Sequence, residues 1–324
     1  MAEDRVPAED RGSPPMVTIV DVGGLILRVE PGSTEDGDLV RRVIGSLPTD
    51  QEPQASLVIG RRPPELPSRP PDFDGPYGRH WDDGTTHWFS HDWGFAARVL
   101  PAEATLGGSA DGYRRWVAVR NSMLFVLARL MLAQGRFLLH AAAVRRDRRA
   151  LLIVGDSGAG KSSLAYAAHL AGWHVLGDDM VAIDAQPAGI TARGVPRVPT
   201  IPADVATAAD QGEALPNDPR GRLELVDLVL DRAAAPVAGV LICGHDDGPG
   251  VLVPATAMDA VQALVPALVL SALPGPVTRW FPVAARLARE PSFRLLHTAS
   301  DGQRLERAGQ LLDEAMTAID ASRR

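Results

Sequence analysis

The basic residues of this chain are unevenly divided between two types. Lys161 is the only lysine among its 324 residues, and every other basic residue of the 33 is an arginine. A lysine kept in a chain that otherwise uses arginine indicates a position that needs a compact, mobile charge rather than a planar guanidinium. This lysine lies in residues 155–162, which read GDSGAGKS. Glycines followed by lysine and serine in this order are typical of a loop that binds phosphate groups.

The sequence around this loop supplies the context that the motif needs. An apolar run at residues 151–154 predicts a strand before it, and a helix is predicted from Lys161 to about residue 171. In such a loop, backbone N–H groups and the helix N-terminus face the phosphate oxygens. We expect Lys161 to reach the β- and γ-phosphates of ATP, and the Ser162 hydroxyl to ligate Mg²⁺. The predicted nucleotide-binding residues are Gly155, Asp156, Ser157, Gly158, Ala159, Gly160, Lys161, Ser162 and Ser163.

Two adjacent carboxylates follow the loop. Asp178 and Asp179 come 17 and 18 residues after Lys161, at the end of the next predicted strand. In an open α/β sheet, the end of a strand beside a phosphate loop is where chemistry is placed. One carboxylate can hold Mg²⁺ and the other can accept a proton from an attacking hydroxyl. A polar turn between two strands is the simpler alternative, and the neighbouring loop favours the catalytic interpretation.

A histidine precedes the loop. His140 lies 15 residues before Gly155, within an apolar run at residues 137–144. If that run pairs with residues 150–154, His140 comes near the phosphate loop. Taken alone, a single histidine in an apolar run is more often a hydrogen-bonded core residue.

Together these residues resemble the kinase domain of the HPr kinase/phosphorylase family. In that family a histidine, a 15-residue interval, a G-D-S-G-x-G-K-S loop, a helix, a short strand and an Asp-Asp pair follow one another. His140, residues 155–162, Asp178 and Asp179 match this order in type and spacing, over a stretch of about residues 138–183. The chain has no counterpart of the family's second signature, Gly-Leu-Gly-Ile, which argues against HPr as the acceptor and against a reverse reaction.

The resemblance implies a function and a set of roles. It implies an α/β P-loop kinase domain of the HPr kinase/phosphoenolpyruvate carboxykinase-like type, which transfers the γ-phosphoryl group of ATP to a serine hydroxyl. In these roles Lys161 neutralises the phosphates, and Ser162 and Asp179 hold Mg²⁺. Asp178 accepts the proton of the acceptor hydroxyl, and His140 positions Asp178 or tunes its basicity. The two aspartates can exchange these roles. The expected partner is a peptide or protein with a serine hydroxyl, and self-association is a further implication of the resemblance.

The N-terminal part of the chain suggests a more specific class of phosphoryl acceptor. A variable β-rich front domain and the segment Leu139-His140-Ala141 resemble HPr-kinase-like proteins, some of which are similar to tailoring kinases of lasso-peptide pathways. A lasso-peptide precursor is therefore the specific acceptor that the resemblance suggests. A small-molecule kinase and a nucleotide-binding regulator without transfer activity are the alternatives.

Several other groups of polar residues are candidates for function. Four arginines downstream of the aspartates are candidates to contact the transferred phosphate, and the sequence does not single one out. They are Arg193, Arg197, Arg220 and Arg222. His80, His87 and His91 resemble a metal-ligand set, but the turn residues among them favour surface positions in a hairpin. The basic run at residues 145–149 resembles a docking site for an acidic peptide, and a solvated hairpin turn is again the simpler interpretation.

The composition and the apolar segments of the chain argue against several other classes of function. The formal net charge of -7 argues against a nucleic-acid-binding protein with a broad basic face. Residues 1–15 lack an apolar segment, so we expect a disordered tail rather than a signal peptide. The longest apolar stretch, residues 255–273, is interrupted by polar residues and a proline, which predicts a buried helix rather than a membrane span. A cytoplasmic location without membrane or nucleic-acid partners is the expectation.

The elements that must position these residues follow from the hydrophobic pattern. Residues 16–120 are predicted to form a small, mostly β N-terminal domain, beginning with a hairpin of residues 17–20 and 25–29. Residues 121–324 are predicted to form the catalytic domain, beginning with a helix from Asn121 to Gln134 that Gly135 ends. Further strands are predicted at residues 173–176, 181–183, 223–230, 237–243 and 293–296. Helices are predicted at residues 256–273 and 303–319, and a structured loop at residues 191–202.

Overall fold

The chain folds into two large β-sheets with helices packed against them. The computed structural model describes residues 16–45, 48–76, 78–197, 199–202, 213–214, 222–224, 228–244, 250–296 and 302–322. The fold is mixed α/β, as predicted from the sequence. The predicted disordered tail at residues 1–15 lies outside the described residues.

The first sheet contains eight strands. They are β1 (Thr18–Val22), β2 (Leu25–Pro31), β3 (Ala55–Gly60), β4 (Phe73–Gly75), β5 (Gly78–Asp82), β6 (His87–His91), β7 (Phe95–Val99) and β8 (Glu103–Gly108). Their order in the sheet is β1-β2-β3-β8-β7-β6-β5-β4. The hairpin of β1 and β2 is confirmed, with Val22 paired to Leu25 across the turn. β2, β3 and β8 are parallel, whereas the other neighbours are antiparallel.

A helix that the sequence analysis did not predict connects β2 to β3. Helix α1 spans Thr34–Ile44, and Ser33 caps it by accepting a hydrogen bond from the Asp36 backbone N–H. Its apolar residues Val40, Val43 and Ile44 face the core at helical spacing. Gly37 weakens the propensity signal although Ser33 and the acidic first turn favour a helix start, and packing against the sheet stabilises the helix.

The central helix, α2, spans Gly112–Ala133 and packs against both sheets. It begins before Asn121, so the prediction that Asn121 caps it was wrong; Asp111 holds the N-cap position. The predicted domain boundary at residues 120/121 therefore falls inside this helix, and the division into two domains stays a prediction. By length and composition α2 is the one helix among the described residues able to cross a membrane, and 67% of its apolar window is buried inside the fold.

The second sheet carries the candidate site. Its strands are β9 (Arg136–Leu139), β10 (Ala142–Arg146), β11 (Arg149–Val154), β12 (His174–Gly177), β13 (Val181–Gln186), β14 (Gly189–Gly194), β18 (Ala235–Gly244), β19 (Val251–Pro254) and β20 (Ser292–Leu296). The order is β12-β10-β11-β18-β14-β13-β9, with β20 paired to β18 and β19 paired to β20. Three short strands form a separate sheet: β15 (Thr200–Pro202), β16 (Glu213–Ala214) and β17 (Arg222–Glu224).

Both faces of the second sheet are covered. The helices are α3 (Lys161–Leu170), α4 (Ala257–Ala267), α5 (Pro274–Leu287) and α6 (Gly302–Ser322). Along β11, Leu151 and Ile153 pack into the cluster that contains α3 and α6. Leu152 and Val154 point to the other face, into the core shared with α2, α4, α5 and the first sheet. This alternation explains why the strand reads as a continuous apolar run.

The structure corrects three further element predictions. Residues 191–202 were expected to be a loop, but strand β14 runs to Gly194 and β15 begins at Thr200. The helix predicted at residues 256–273 ends at Ala267, and α5, with prolines at its start and interior, was not predicted. The strand predicted at residues 223–230 is limited to β17 among the described residues, because residues 228–230 are not extended in a ladder. Helix α5 was not predicted because proline usually breaks a helix. Pro274 is nevertheless compatible with α5, since proline is acceptable in the first turn of a helix.

Candidate active site

The loop between β11 and α3 has the backbone that its glycines predict. Gly155 has a φ of 151°, and a Cβ there would lie 2.5 Å from the carbonyl oxygen of Cys243 on β18. Gly158 has a φ of 86°, and a Cβ there would meet no atom of the described residues within 4 Å. The first glycine is required by close packing against the next strand, and the second adopts a backbone conformation that favours glycine.

Lys161 folds back across the loop that it follows. Its Nζ donates hydrogen bonds of 2.9 Å to the carbonyl oxygens of Gly155 and Asp156. The side chain is buried, so its charge is concentrated within the loop rather than dispersed in solvent. Lysine has three donors on a flexible stem, so one ammonium group can donate to both carbonyls at once.

The loop and the aspartates meet at one edge of the sheet. β11 and β12 both pair antiparallel with β10, which lies between them, so their carboxyl ends lie at the same edge. The Ser162 Oγ lies 3.5 Å from the backbone oxygen of Asp178. The Asp178 side chain is buried and accepts a 3.2 Å hydrogen bond from the Thr200 backbone N–H. A loop that contains lysine and serine therefore adjoins a buried carboxylate.

Asp179 is surrounded by basic groups. Its Oδ1 lies 3.2 Å from His140 Nδ1, and its Oδ2 accepts a hydrogen bond from Arg197 and lies 3.5 Å from Arg120 Nη2. Burial by itself would raise the pKa of this carboxyl, but Arg197, His140 and Arg120 together lower it below its ordinary value of 3.8. Asp179 is therefore ionised throughout the neutral range.

His140 reaches Asp179 by a different route from the one predicted. The run at residues 137–144 was expected to pair with residues 150–154 as one strand. The structure divides it: β10 pairs with β11, whereas β9 pairs with β13 through Leu139 and Val181. His140 lies in the break, where its backbone N–H donates a 2.7 Å hydrogen bond to Ala267. Because β13 follows the aspartates directly, its pairing with β9 brings His140 beside Asp179.

The four candidate arginines separate into distinct groups. Arg197 contacts Asp179 and belongs to the site. Arg193 instead forms a 3.2 Å ion pair with Asp21 in the first hairpin, so the structure places it in a contact between the two sheets rather than at the site. Arg220 lies outside the described residues, and Arg222 is described only as part of strand β17.

Arg120 is the site residue that the sequence analysis missed. It lies in α2, before the predicted domain boundary, and its guanidinium lies over the Trp116 ring at 5.6 Å. No local motif marks Arg120, because the three strands β9, β10 and β11 separate its helix from the loop in the sequence. A helical projection of α2 would have placed Arg120 on one face with Trp116 and Tyr113, but not beside Asp179.

The single cysteine lies directly behind the loop. Cys243 Sγ donates a 2.8 Å hydrogen bond to the carbonyl oxygen of Ala159. Burial raises the pKa of its thiol to about 12, although the nearby Lys161 charge acts in the opposite direction. Cys243 therefore acts as a small buried residue that packs behind the loop.

The histidines of the first sheet are packing residues. His80 lies in β5 with its ring 5.0–5.6 Å from those of Phe73, Phe89 and Phe125, and burial lowers its pKa to about 4, helped by the Arg129 charge. His87 and His91 lie in β6, so the strand positions are confirmed, but the expectation of surface positions was wrong because His91 is buried and His80 and His87 are partly buried. Among the described residues, no group of three or more His, Cys, Asp or Glu is arranged to hold a metal ion.

The basic run at residues 145–149 forms the predicted hairpin turn. Asp147 adopts a φ of 53° between β10 and β11. Arg145 pairs with Asp231, and Arg146 and Arg149 pair with Asp313 and Asp320 of helix α6. These arginines neutralise carboxylates of the chain itself, which argues against a docking site for an acidic peptide.

Comparisons with known proteins found distant structural similarity and no curated sequence relative. No protein-family model and no curated protein matches the chain. Among solved structures, the chain is similar to the HPr(Ser) kinase/phosphatase from Coxiella burnetii, at 13% sequence identity and a TM-score of 0.28. That similarity covers 57% of this chain and 97% of the other. At this TM-score, the likeness decides neither fold nor function.

Proposed function

We propose that this protein is a P-loop kinase that transfers the γ-phosphoryl group of ATP to a hydroxyl group. The observation that carries this proposal is the meeting of three features at one sheet edge: the glycine loop with Lys161, the buried Asp178 and the ionised Asp179. Phosphoryl transfer needs positive charge on the phosphates, a carboxylate for the cation and a base for the acceptor hydroxyl. This edge supplies a group for each requirement.

The loop fits the phosphates of a nucleotide. The glycine loop leads directly into the N-terminus of α3, where backbone N–H groups would face the phosphate oxygens of a bound nucleotide. Lys161 is already inside the loop, where a phosphate oxygen would replace the carbonyls of Gly155 and Asp156 as its partner. Residues Gly155 to Ser163 are the proposed nucleotide-binding segment.

The site also fits a magnesium ion in its donor chemistry. Hydroxyl and carboxylate oxygens are the protein ligands that Mg²⁺ accepts, and Ser162 and Asp179 supply one of each. When bound, the ion would neutralise charge on the phosphate oxygens. Asp179 suits a cation better than a proton because its lowered pKa makes it a weak base.

Asp178 is the proposed base for the acceptor hydroxyl. Its carboxylate is buried and oriented by the Thr200 backbone N–H, which keeps it in one position at the end of β12. His140 acts through Asp179 rather than on the acceptor, because its Nδ1 faces Oδ1 of that residue. Arg197 is the proposed second phosphate contact, since it contacts Asp179 whereas Arg193 pairs with Asp21.

The acceptor proposed is the serine hydroxyl of a peptide or protein, which rests on the sequence resemblance of residues 138–183 to HPr-kinase-like domains. A lasso-peptide precursor is one member of this class. The proposed architecture is accordingly an HPr-kinase-like domain that follows a small β-rich domain.

Mass spectrometry of the products tests this proposal. The protein is incubated with Mg²⁺–ATP and a peptide library in which serine is the only hydroxyl residue, together with peptides encoded beside its gene. We expect one phosphoryl group on serine with the wild type and none with Lys161→Ala, whereas Arg114→Gln, on the exposed surface of α2, should match the wild type. ATP hydrolysis or binding without any phosphorylated peptide or small molecule would contradict the kinase and favour a nucleotide-binding regulator.

A further inference from the structure

Helix α2 brings an arginine from the front of the chain into the candidate site. Arg120 Nη2 lies 3.5 Å from Asp179 Oδ2, on the side of the carboxylate that Arg197 also contacts. α2 is rigid at this point because Ala118, Val119 and Met123 are completely buried in the core shared by both sheets. The direction of Arg120 is therefore set by the packing of the helix rather than by a surface loop.

Aromatic side chains support the guanidinium. Trp116 and Tyr113 lie one and two turns before Arg120 on the same helix face. The Arg120 guanidinium lies 5.6 Å from the Trp116 ring centroid, and the Trp116 and Tyr113 rings stack at 6.0 Å and 25°. Stacking on an indole face restrains a guanidinium without using its N–H donors, so the ring face and the N–H groups can serve different partners.

Two guanidiniums converge on one oxygen of Asp179. Arg197 and Arg120 share a single oxygen, Oδ2, and Lys161 lies in the neighbouring loop. Two guanidiniums on one oxygen repel each other, and each gains when a second anion enters the site. Arg120 is the more accessible of the two, with 29% of its side chain exposed against 13% for Arg197.

We propose that Arg120 binds the terminal phosphate of the phosphoryl donor, turning from Asp179 to an oxygen of the group that is transferred. This inference rests on the proposed kinase function and extends it, because it makes α2 part of the active site. A planar guanidinium matches phosphate geometry and stabilises the charge that spreads over the phosphoryl oxygens during transfer. The ligand class is a nucleoside triphosphate or another polyphosphate whose outermost phosphate reaches α2.

The front of the chain supports the site at a second point. The carbonyl oxygen of Pro196, the residue before Arg197, lies so close to Gly45 that a Cβ at Gly45 would be 2.7 Å from it. The segment after α1 therefore contacts the segment that carries Arg197, while α2 carries Arg120. Both guanidiniums on Asp179 are placed by contacts with the N-terminal part of the chain.

A comparison of ATP with ADP isolates the predicted contact. Binding of each nucleotide is measured by calorimetry with Mg²⁺ for the wild type, Arg120→Gln, Arg120→Lys and Arg114→Gln. Arg114 is the matched control because it lies on the same helix, is exposed and stacks on Trp93 at 6.0 Å instead. We expect Arg120→Gln to weaken ATP binding about tenfold while ADP binding changes little, because a charge-assisted hydrogen bond to the terminal phosphate is lost.

The remaining variants and one optical signal complete the test. Arg120→Lys should lie between the wild type and Arg120→Gln, and Arg114→Gln should keep the wild-type preference for ATP. ATP, more than ADP, should change the tryptophan fluorescence of the wild type, and Trp116→Phe should remove that difference. An unchanged ATP-to-ADP preference in Arg120→Gln overturns this inference alone. Failure of the wild type to bind either nucleotide overturns the proposed kinase function as well, so the two failures are distinguishable.

Discussion

His140 Nδ1 lies 3.2 Å from Asp179 Oδ1, although the two residues leave the sheet from different strands. His140 follows β9 and Asp179 follows β12, and the pairing of β9 with β13 brings them together. The imidazole therefore occupies the oxygen of Asp179 that the two arginines leave open. This contact orients the carboxylate and contributes to the low pKa of Asp179.

The first prediction concerns the pH dependence that Asp179 gives to stability. Its pKa is lower in the folded protein than the ordinary 3.8, so ionised Asp179 stabilises the fold above that pH, and this stabilisation is lost as the pH falls below 3.8 toward the folded pKa. Asp179→Asn should reduce the free energy of unfolding by about 1–3 kcal/mol near neutral pH, because it leaves two guanidiniums without their carboxylate. Urea unfolding at several pH values measures the difference, which should shrink below pH 3.8. A difference that grows toward acid would contradict the assigned ion pairs.

The second prediction separates the roles of the two aspartates. Asp178→Asn should lower the rate of phosphoryl transfer by at least about a hundredfold while nucleotide binding is retained, because an amide cannot accept the hydroxyl proton. Asp179→Asn should instead raise the Mg²⁺ concentration needed for half-maximal rate, since a ligand of the cation is lost. Magnesium titrations of the transfer rate for both variants show which aspartate is the base and which is the Mg²⁺ ligand. If the two effects are reversed between the variants, the aspartates exchange roles.

The third prediction concerns the contact between the first hairpin and the second sheet. Asp21 and Arg193 form a partly exposed ion pair, with 23% and 35% of their side chains exposed. Such a pair is worth about 0.2–1 kcal/mol, because solvent screens it. A double-mutant cycle of Asp21→Asn and Arg193→Gln should give a coupling energy in this range, measured by chemical denaturation. The rate of phosphoryl transfer should not change in either variant. A large loss of activity in Arg193→Gln would show that Arg193 takes part in the active site.

The fourth prediction concerns a buried ion pair that joins α1 to α2. Arg115 donates a hydrogen bond to Asp36, and their side chains are 2% and 1% exposed. Removal of Asp36 leaves the buried Arg115 with only the exposed Glu35, at 4.0 Å, as a carboxylate partner among the described residues, so Asp36→Ala should cost about 3–5 kcal/mol of stability. Asp38→Ala is the matched control on the same helix, because its carboxylate is exposed and pairs only with the exposed Arg41 among the described residues. Thermal or urea unfolding of both variants measures the difference, and equal effects would show that burial does not govern this pair.

The fifth prediction uses the single thiol as a probe of the fold. Burial raises the pKa of Cys243 to about 12, so almost none of it is thiolate at pH about 8. Iodoacetamide should label the native protein at least about a thousandfold more slowly than it labels the chain unfolded in guanidinium chloride. Mass spectrometry counts the modified chains at each time point. Rapid labelling while the native circular dichroism spectrum persists would show that the loop opens at Ala159.

Local patterns in the sequence predicted the elements whose own residues determine them. The loop at residues 155–162, helix α3, the buried strand β18 and the first hairpin all follow from glycine positions and hydrophobic periodicity, and the structure contains each of them. α1 and α5 were missed because a glycine in one and prolines in the other lower helix propensity, which packing against the sheets overrides. The start of α2 was misplaced because Asn121 is a strong capping residue in isolation, although it lies within a helix here.

The sequence by itself determined which chemical groups are present and that a glycine loop and a pair of aspartates follow one another, because loop and strand ends are set by neighbouring residues. Only the tertiary structure decided which basic groups surround Asp179. Arg197, His140 and Arg120 come from three separate segments, and strand pairing and helix packing bring them together at 3.2–3.5 Å or closer. It also decided that Arg193 lies elsewhere. The physical reason is that strand order and the docking of α2 depend on the burial of apolar surface across the whole chain, and no local pattern encodes that.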